Sequence, residues 1–392
     1  MLISLAMLLL FGFISMKFVS LGRLPGLIGL LLVGVLFGPY VLGLLDPNLL
    51  LISQDLRLFA LMIILLRAGL GLQRKQLKAV GGPALRLSII PCLVEGFTVA
   101  ISAYFLIGFS FVEAGLLGFV LAAVSPAVVV PSMLELEALG YGTDKEIPTL
   151  LLAGASLDDV FAITLFSFFL SLATGTQQNI LIVIAKIPYS IIGGIVSGAV
   201  LALLLIVIFK RWHLKLANLE KFLLLLSSLV LYYYLGESVG LASLLGIMAL
   251  GFIVLERAPK LAKVFSGKLT SAWLFAQIIL FTLVGAEVDI KVAFEAGVLG
   301  LAIITFGLIG RSFGVWLATI KTGLTLKERL FCMIAYVPKA TVQAAIGSLP
   351  LAAGLEVGGV ILAIAVLSIV VTAPIGAIGI KLMAPHLLTK SK

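Results

Sequence analysis

Two adjacent carboxylates, Asp158 and Asp159, stand in the run Gly154-Ala-Ser-Leu-Asp-Asp-Val160, about ten residues into an apolar stretch. A charge at that depth in a hydrocarbon layer costs several kcal/mol and normally has a purpose. Burial and a like-charged neighbour both favour the neutral form of a carboxylate. An acid tuned in that way holds either a proton or a cation, and oxygen ligands suit hard cations such as Na⁺ or Li⁺. One site with two competing ligands is the chemistry of ion–proton exchange. The plainer reading, an aspartate that only pairs with a basic residue inside a bundle, carries less weight for two acids together. Successive helix residues point about 100° apart. The two acids therefore have unequal tasks: one binds the ion, and the other pairs elsewhere or gates access.

Two apolar segments are interrupted in a way that bears on those acids. The first ends Val124-Ser-Pro-Ala-Val-Val-Val-Pro131. Two prolines five residues apart do not both fit an unbroken helix, because each lacks an N–H and clashes with the preceding turn. The run Val128-Val129-Val130 weakens helix further. The second is Tyr336-Val-Pro-Lys-Ala-Thr-Val-Gln343, where Pro338 is followed at once by polar Lys339, Thr341 and Gln343. Unwound backbone at membrane depth is tolerated only where it is buried or lines a cavity. A matched pair of broken segments points to a transporter's substrate site near the midplane. Ordinary proline kinks are the alternative, and the matched placement favours the site. Ser125, in the first break, supplies an oxygen near the ion.

Glu95, in Pro91-Cys-Leu-Val-Glu-Gly96, and Arg311, in Gly310-Arg-Ser-Phe-Gly314, are opposite charges in apolar segments. They are expected to pair, first as a structural ion pair and only second as a device coupled to the ion. Lys339 has two readings held open. It compensates the negative half-helix end left by a break, or it pairs with Asp158 or Asp159 and yields that acid when Na⁺ arrives.

The elements that position these groups follow from bulk properties. Of 392 residues, 62% are hydrophobic and 11% charged, and the mean hydropathy is +1.27. Soluble domains carry about 25% charged residues. Stretches of roughly 20 apolar residues recur from end to end, at 2–20, 25–45, 56–72, 83–108, 112–131, 148–173, 180–209, 219–235, 239–255, 270–287, 292–320, 327–350 and 357–383. The chain therefore reads as one all-α polytopic membrane unit of about 13 helices. With the N-terminus outside, 21 of the 27 Lys and Arg residues fall on the cytoplasmic side and two, Arg57 and Lys291, on the other. That asymmetry is the one expected of a correctly counted membrane protein. It also explains the net charge of +9 without nucleic acid. Arg67 and Lys186 sit near span ends, where they snorkel. Lys17 and Arg23 follow the first apolar run, the reverse of a cleaved signal peptide, so 1–18 reads as a true first helix. Spans 1–6 and 8–13 form two halves of opposite orientation. The broken spans are the fifth of each half, and Glu95 and Arg311 lie in the fourth of each. Cys92 and Cys332 have neither metal-ligand spacing nor a disulfide framework. His213 and His386 read as loop histidines.

Val124–Pro131, the Ser-Leu-Asp-Asp run at 156–159 and Val337–Gln343 resemble the cation–proton antiporter superfamily, specifically its sodium/proton NHA branch, over nearly the whole chain. The resemblance implies two inverted six-helix repeats with two broken crossing helices, and a homodimer. It implies a scaffold domain of about 1–72 and 219–287, a linker helix at 180–209, and a moving core domain of about 83–173 and 292–383. It makes Asp159 the essential ion-binding aspartate and Asp158 its neighbour. Arg311 falls where double-aspartate relatives carry a lysine linked to electrogenic exchange. Arginine is a poor proton carrier, so Arg311 with Glu95 argues for electroneutral exchange while the double aspartate argues against it.

The expectation is thus a secondary antiporter exchanging Na⁺ or Li⁺ for H⁺ by alternating access, with no enzymatic activity and no cofactor. Its partners are a monovalent cation, a proton, membrane lipid and a second copy of the chain. Its place is the plasma (bacterial inner) membrane, with the C-terminus cytoplasmic. A K⁺/H⁺ antiporter is the near rival. A cation channel ranks lower, because a single chain with two internal breaks fits alternating access better than an oligomeric pore. An intramembrane aspartyl protease needs carboxylates facing each other across a water, which adjacent residues on one helix do not supply.

Overall fold

The structure, a computed structural model, describes residues 1–22, 24–72, 74–175, 180–211 and 216–391. Arg23, His213, Lys215 and Lys392 lie outside the described residues. Among the described residues there are eighteen α-helical segments, besides a single 3-10 turn at Thr143–Lys145: α1 Leu2–Leu21, α2 Gly26–Phe37, α3 Pro47–Leu51, α4 Ser53–Gly69, α5 Arg74–Ile107, α6 Phe111–Leu121, α7 Pro126–Ala138, α8 Ile147–Ala173, α9 Ile180–Arg211, α10 Asn218–Ser238, α11 Ser243–Arg257, α12 Pro259–Ala286, α13 Ile290–Glu295, α14 Gly297–Ala318, α15 Leu326–Ala335, α16 Thr341–Ile346, α17 Leu349–Ala352 and α18 Gly358–Leu387. Among the described residues there is no strand, only an isolated bridge between Tyr141 and Lys390. Every expected apolar segment contains helix, but the second is helical only over 26–37. Gly38, Pro39 and the Asp46-Pro47 pair explain this, since Asp46 caps α3 by accepting from Asn48 N–H. Among the described residues, nine helical stretches are long and apolar enough to cross a membrane.

Burial ranks the elements. In the most apolar 18 residues of Phe111–Ala138, α6 with α7, 94% of the residues are buried within the protein, against 17% for Leu2–Leu21. The broken span is therefore central, and α1 is peripheral. Exposed Ile192, Val196, Val200, Leu203 and Val207 give α9 an apolar outer face, as a lipid-facing helix requires. One apolar cluster joins α4, α10, α11 and α12 through residues such as Ile64, Leu225, Ile247 and Leu280. Others tie α5, α6, α8, α14, α15 and α18 together through Leu117, Phe166, Ile303, Phe331 and Ile364. Lipid-embedded helices gain little from the hydrophobic effect and rely on close backbone approach. Gly34 shows this: a Cβ there would lie 2.0 Å from the Thr282 carbonyl oxygen, so α2 and α12 touch backbone to backbone.

Candidate ion site

The site is organised by what two broken helices leave unpaired. α6 stops at Leu121, and α7 begins at Pro126, at the first helical position, where a missing N–H is no loss. A helix end buried in hydrocarbon leaves carbonyls that must find donors. Each one here does. Gln343 Nε2 donates to the carbonyls of Val120 and Ala123, both at 3.0 Å. Lys339 Nζ donates to Leu121 at 2.6 Å, and Arg311 Nη1 donates to Ala122. On the other side of the break, Val124 N–H donates to Asp158 Oδ2 at 2.7 Å, and Ser125 N–H to the Pro338 carbonyl at 2.8 Å. The second break, between α15 and α16, is held the same way, with Lys339 N–H donating to Thr372 Oγ1 at 3.0 Å. The two breaks cross at Ser125–Pro338. Two cations at the C-terminal end of α6 also oppose its negative dipole end.

Four charges meet at this crossing with no net charge. Arg311 Nη1 lies 2.7 Å from Glu95 Oε2, and its Nη2 lies 2.9 Å from Asp158 Oδ2. Lys339 Nζ lies 2.6 Å from Glu95 Oε1. All four residues are buried, none more than 1% exposed. The bidentate-capable guanidinium joins α14 to α5 and α8. Arg311 also lies over the Tyr336 ring, 5.0 Å from its centroid.

The residues expected at the site divide into two groups. Asp158, Glu95, Arg311, Lys339 and Gln343 are brought together around the end of α6. Asp159, Ser125 and Thr341 are not part of that network. Each keeps a buried oxygen without a hydrogen-bond partner: Asp159 Oδ1, Ser125 Oγ and Thr341 Oγ1. Asp158 Oδ1 and Gln343 Oε1 are also unpartnered. Of the two readings of Lys339, the geometry has it on an α6 carbonyl and on Glu95, not on either aspartate. Sequence reasoning gave no role to Tyr336 or Thr372. Tyr336 directly precedes the Val-Pro break, which was the available signal. Thr372 lies in the last, uniformly apolar span and offered none. Gly154 belongs with Tyr336, since a Cβ at 154 would lie 2.3 Å from the tyrosine Oη.

Asp159 borders two cavities. One of about 160 Å³ is lined by Asp159, Ser156, Thr164, Ser190, Glu237 and Ser243 among apolar residues. The other, about 170 Å³, is lined by Asp159, Gln54, Arg57, Tyr233 and Thr341. Both lie toward the end of the bundle that carries the turns at 239–242 and 287–289. A larger cavity of about 720 Å³ lies toward the opposite end, between Lys17, Arg67, Glu135, Gln277 and Lys381, and Asp159 does not line it. These oxygens fit a small hard cation as transported substrate. Among the described residues, no group of three or more His, Cys, Asp or Glu side chains is placed to hold a resident metal ion.

The family model described as sodium/hydrogen exchanger, transmembrane, matches residues 5–385. Sodium/hydrogen exchanger 9B2 of Homo sapiens is 39% identical over 392 residues, covering 95% of this chain and 72% of that protein. Sodium/hydrogen exchanger 9B1 of Homo sapiens is 35% identical, covering 94% of this chain and 73% of that protein. Among solved structures, the sodium proton antiporter MjNhaP1 from Methanocaldococcus jannaschii at pH 8 superposes with a TM-score of 0.77. It is 20% identical, and 98% of this chain and 97% of that chain are covered.

Proposed function

The chain belongs to the sodium/hydrogen exchanger family, and from that premise we propose that it exchanges Na⁺ or Li⁺ for H⁺ across a membrane, with Asp159 carrying either ion in turn. One observation carries the reading: Asp159 is the acid of the adjacent pair that stands outside the buried ion-pair network, and it borders two cavities. Asp158 is matched by Arg311 and by the Val124 N–H, so its task is to hold the crossing together. Asp159 then offers one negative charge to one monovalent cation, supported by Ser125 and Thr341 oxygens. Binding of either ligand displaces the other, and coupling needs no further device. One carboxylate trading one Na⁺ for one H⁺ is electroneutral.

The remaining mechanism is alternating access. Segments 83–173 and 292–383 form a core that rocks against a scaffold of 1–72 and 219–287, with 180–209 as the link. The fold has thirteen crossings in two inverted halves and works as a homodimer in a plasma membrane, N-terminus outside. The cavities at Asp159 lie toward the end that carries the turns at 239–242 and 287–289, the outer face in this orientation, which supports reading this conformation as outward-facing.

The test is proton movement in liposomes carrying an internal pH dye, with Na⁺, Li⁺ or K⁺ added under a clamped voltage. Na⁺- or Li⁺-driven proton flux that vanishes in Asp159→Asn and ignores the clamp is the expected result. Flux retained in Asp159→Asn overturns the site assignment. Flux that follows the clamp overturns one-for-one exchange.

A further inference from the structure

The two cavities that reach Asp159 are separate mouths with different charged linings. They share Asp159 and the apolar side chains of Leu61, Ile163 and Leu244, which stand between them. The 170 Å³ mouth contains Arg57, whose guanidinium pairs with Glu287. The 160 Å³ mouth contains Glu237, and among the described residues no Lys or Arg lines it. Two of its hydroxyls are also oriented. Ser156 Oγ donates to the Leu152 carbonyl at 2.9 Å and Thr164 Oγ1 to Val160 at 2.6 Å. A hydroxyl whose proton is committed to a carbonyl turns only lone pairs to its surroundings. A passage lined by a carboxylate and by acceptor oxygens stabilises a partly dehydrated cation and repels anions.

Resting on the antiporter reading, we propose that Glu237 is the cation-recruiting residue of this mouth, and that Na⁺ or Li⁺ passes from its carboxylate along the Ser243, Ser190, Thr164 and Ser156 oxygens to Asp159. Glu237 ends α10, and Asp159 sits on α8. The two acids therefore belong to the segments assigned to scaffold and core, and the passage exists only while the two stand in this relation. The competing role for Glu237 is local. Its carboxylate lies beside the Ser243 N–H and hydroxyl, at the first turn of α11, where an acid stabilises a helix start. That role affects folding alone. Recruitment affects one ion, from one face.

Two readouts test the proposal. In proteoliposomes of uniform orientation, Glu237→Gln raises the half-saturating Na⁺ concentration about fivefold when Na⁺ is offered at the face bearing the 239–242 turn, the effect of one unit charge near 4 Å in water. Its maximal rate stays within about twofold, as expected for lost binding without lost turnover. Na⁺ offered at the other face sees no change, and Glu237→Asp restores the wild-type value. Equal changes at both faces, or a lower maximal rate at unchanged half-saturation, overturn the proposal.

The second readout needs no transport. Cys92 and Cys332 are both buried, so Ser190→Cys places a thiol in the mouth that reacts alone. A cationic thiosulfonate reacts faster than a neutral one of similar size, Na⁺ slows it, and Glu237→Gln lowers the rate ratio about fivefold. An unchanged ratio overturns the role of Glu237 even where exchange is robust. A lowered ratio in a protein that moves no protons upholds recruitment and refutes the antiporter reading instead.

Discussion

Arg311→Gln tests whether the crossing is held by its charges. Arg311, Lys339, Glu95 and Asp158 cancel as a set, and all are buried. Glutamine at 311 leaves two carboxylates against one ammonium and strips donors from Glu95 Oε2, Asp158 Oδ2 and the Ala122 carbonyl. Breaking a buried pair from one side costs about 3–5 kcal/mol, because the remaining charge is left without compensation. Glu95→Gln unbalances the set in the opposite sense and costs a similar amount. The double variant retains Asp158 and Lys339, one of each sign, so its loss falls short of the sum by about 2 kcal/mol, within the range seen for residues sharing one network. The assay is a double-mutant cycle on unfolding free energy in detergent micelles titrated with denaturing surfactant. Additivity within about 0.5 kcal/mol refutes the claim that these four charges act as a unit.

Three further outcomes follow from the same geometry. Gly154→Ala places a Cβ 2.3 Å from Tyr336 Oη and costs about 1–3 kcal/mol by overpacking; Tyr336→Phe removes the clashing oxygen and recovers most of it, read by the same unfolding assay. Gln343→Leu leaves the Val120 and Ala123 carbonyls without donors and destabilises by about 1–3 kcal/mol for each group, whereas a variant on the exposed face of α9, Val200→Ala, stays within about 0.5 kcal/mol. Competition at Asp159 fixes the pH dependence of exchange: protons occupy the carboxylate as pH falls, so the half-saturating Na⁺ rises about tenfold per pH unit on the acid side and levels off on the alkaline side, by linkage. A half-saturation independent of pH across that range contradicts a shared site.

The charged residues were legible because lipid makes them costly. Asp158, Asp159, Glu95, Arg311 and Lys339 stand out in a chain with 11% charged residues, and each lies at the crossing or beside it. The breaks were legible because proline has no N–H: Pro126 and Pro338 mark them, and α7 and α16 begin just beyond. The partners were less so. Lys339 had two readings, and its choice of Leu121 and Glu95 depends on where a segment about 218 residues earlier comes to rest. Glu237 passed unnoticed because it closes an ordinary span, and an acid at a helix end carries no cost that marks it. The second span looked continuous over 25–45 because its apolar composition runs past the point at which Gly38 and Pro39 end the helix.

The sequence by itself determined that this chain lives in a membrane, where its helices lie, where two of them break and which acids lie deep. Those are local matters of side-chain transfer cost and backbone hydrogen bonding, each readable within a few turns. The family resemblance pointed to Asp159, but only the tertiary structure gave the physical reason that one aspartate is committed and the other open. Asp158 and Asp159 are chemically identical neighbours, and what separates them is the turn of about 100° that aims one at Arg311 and Val124 and the other at two cavities.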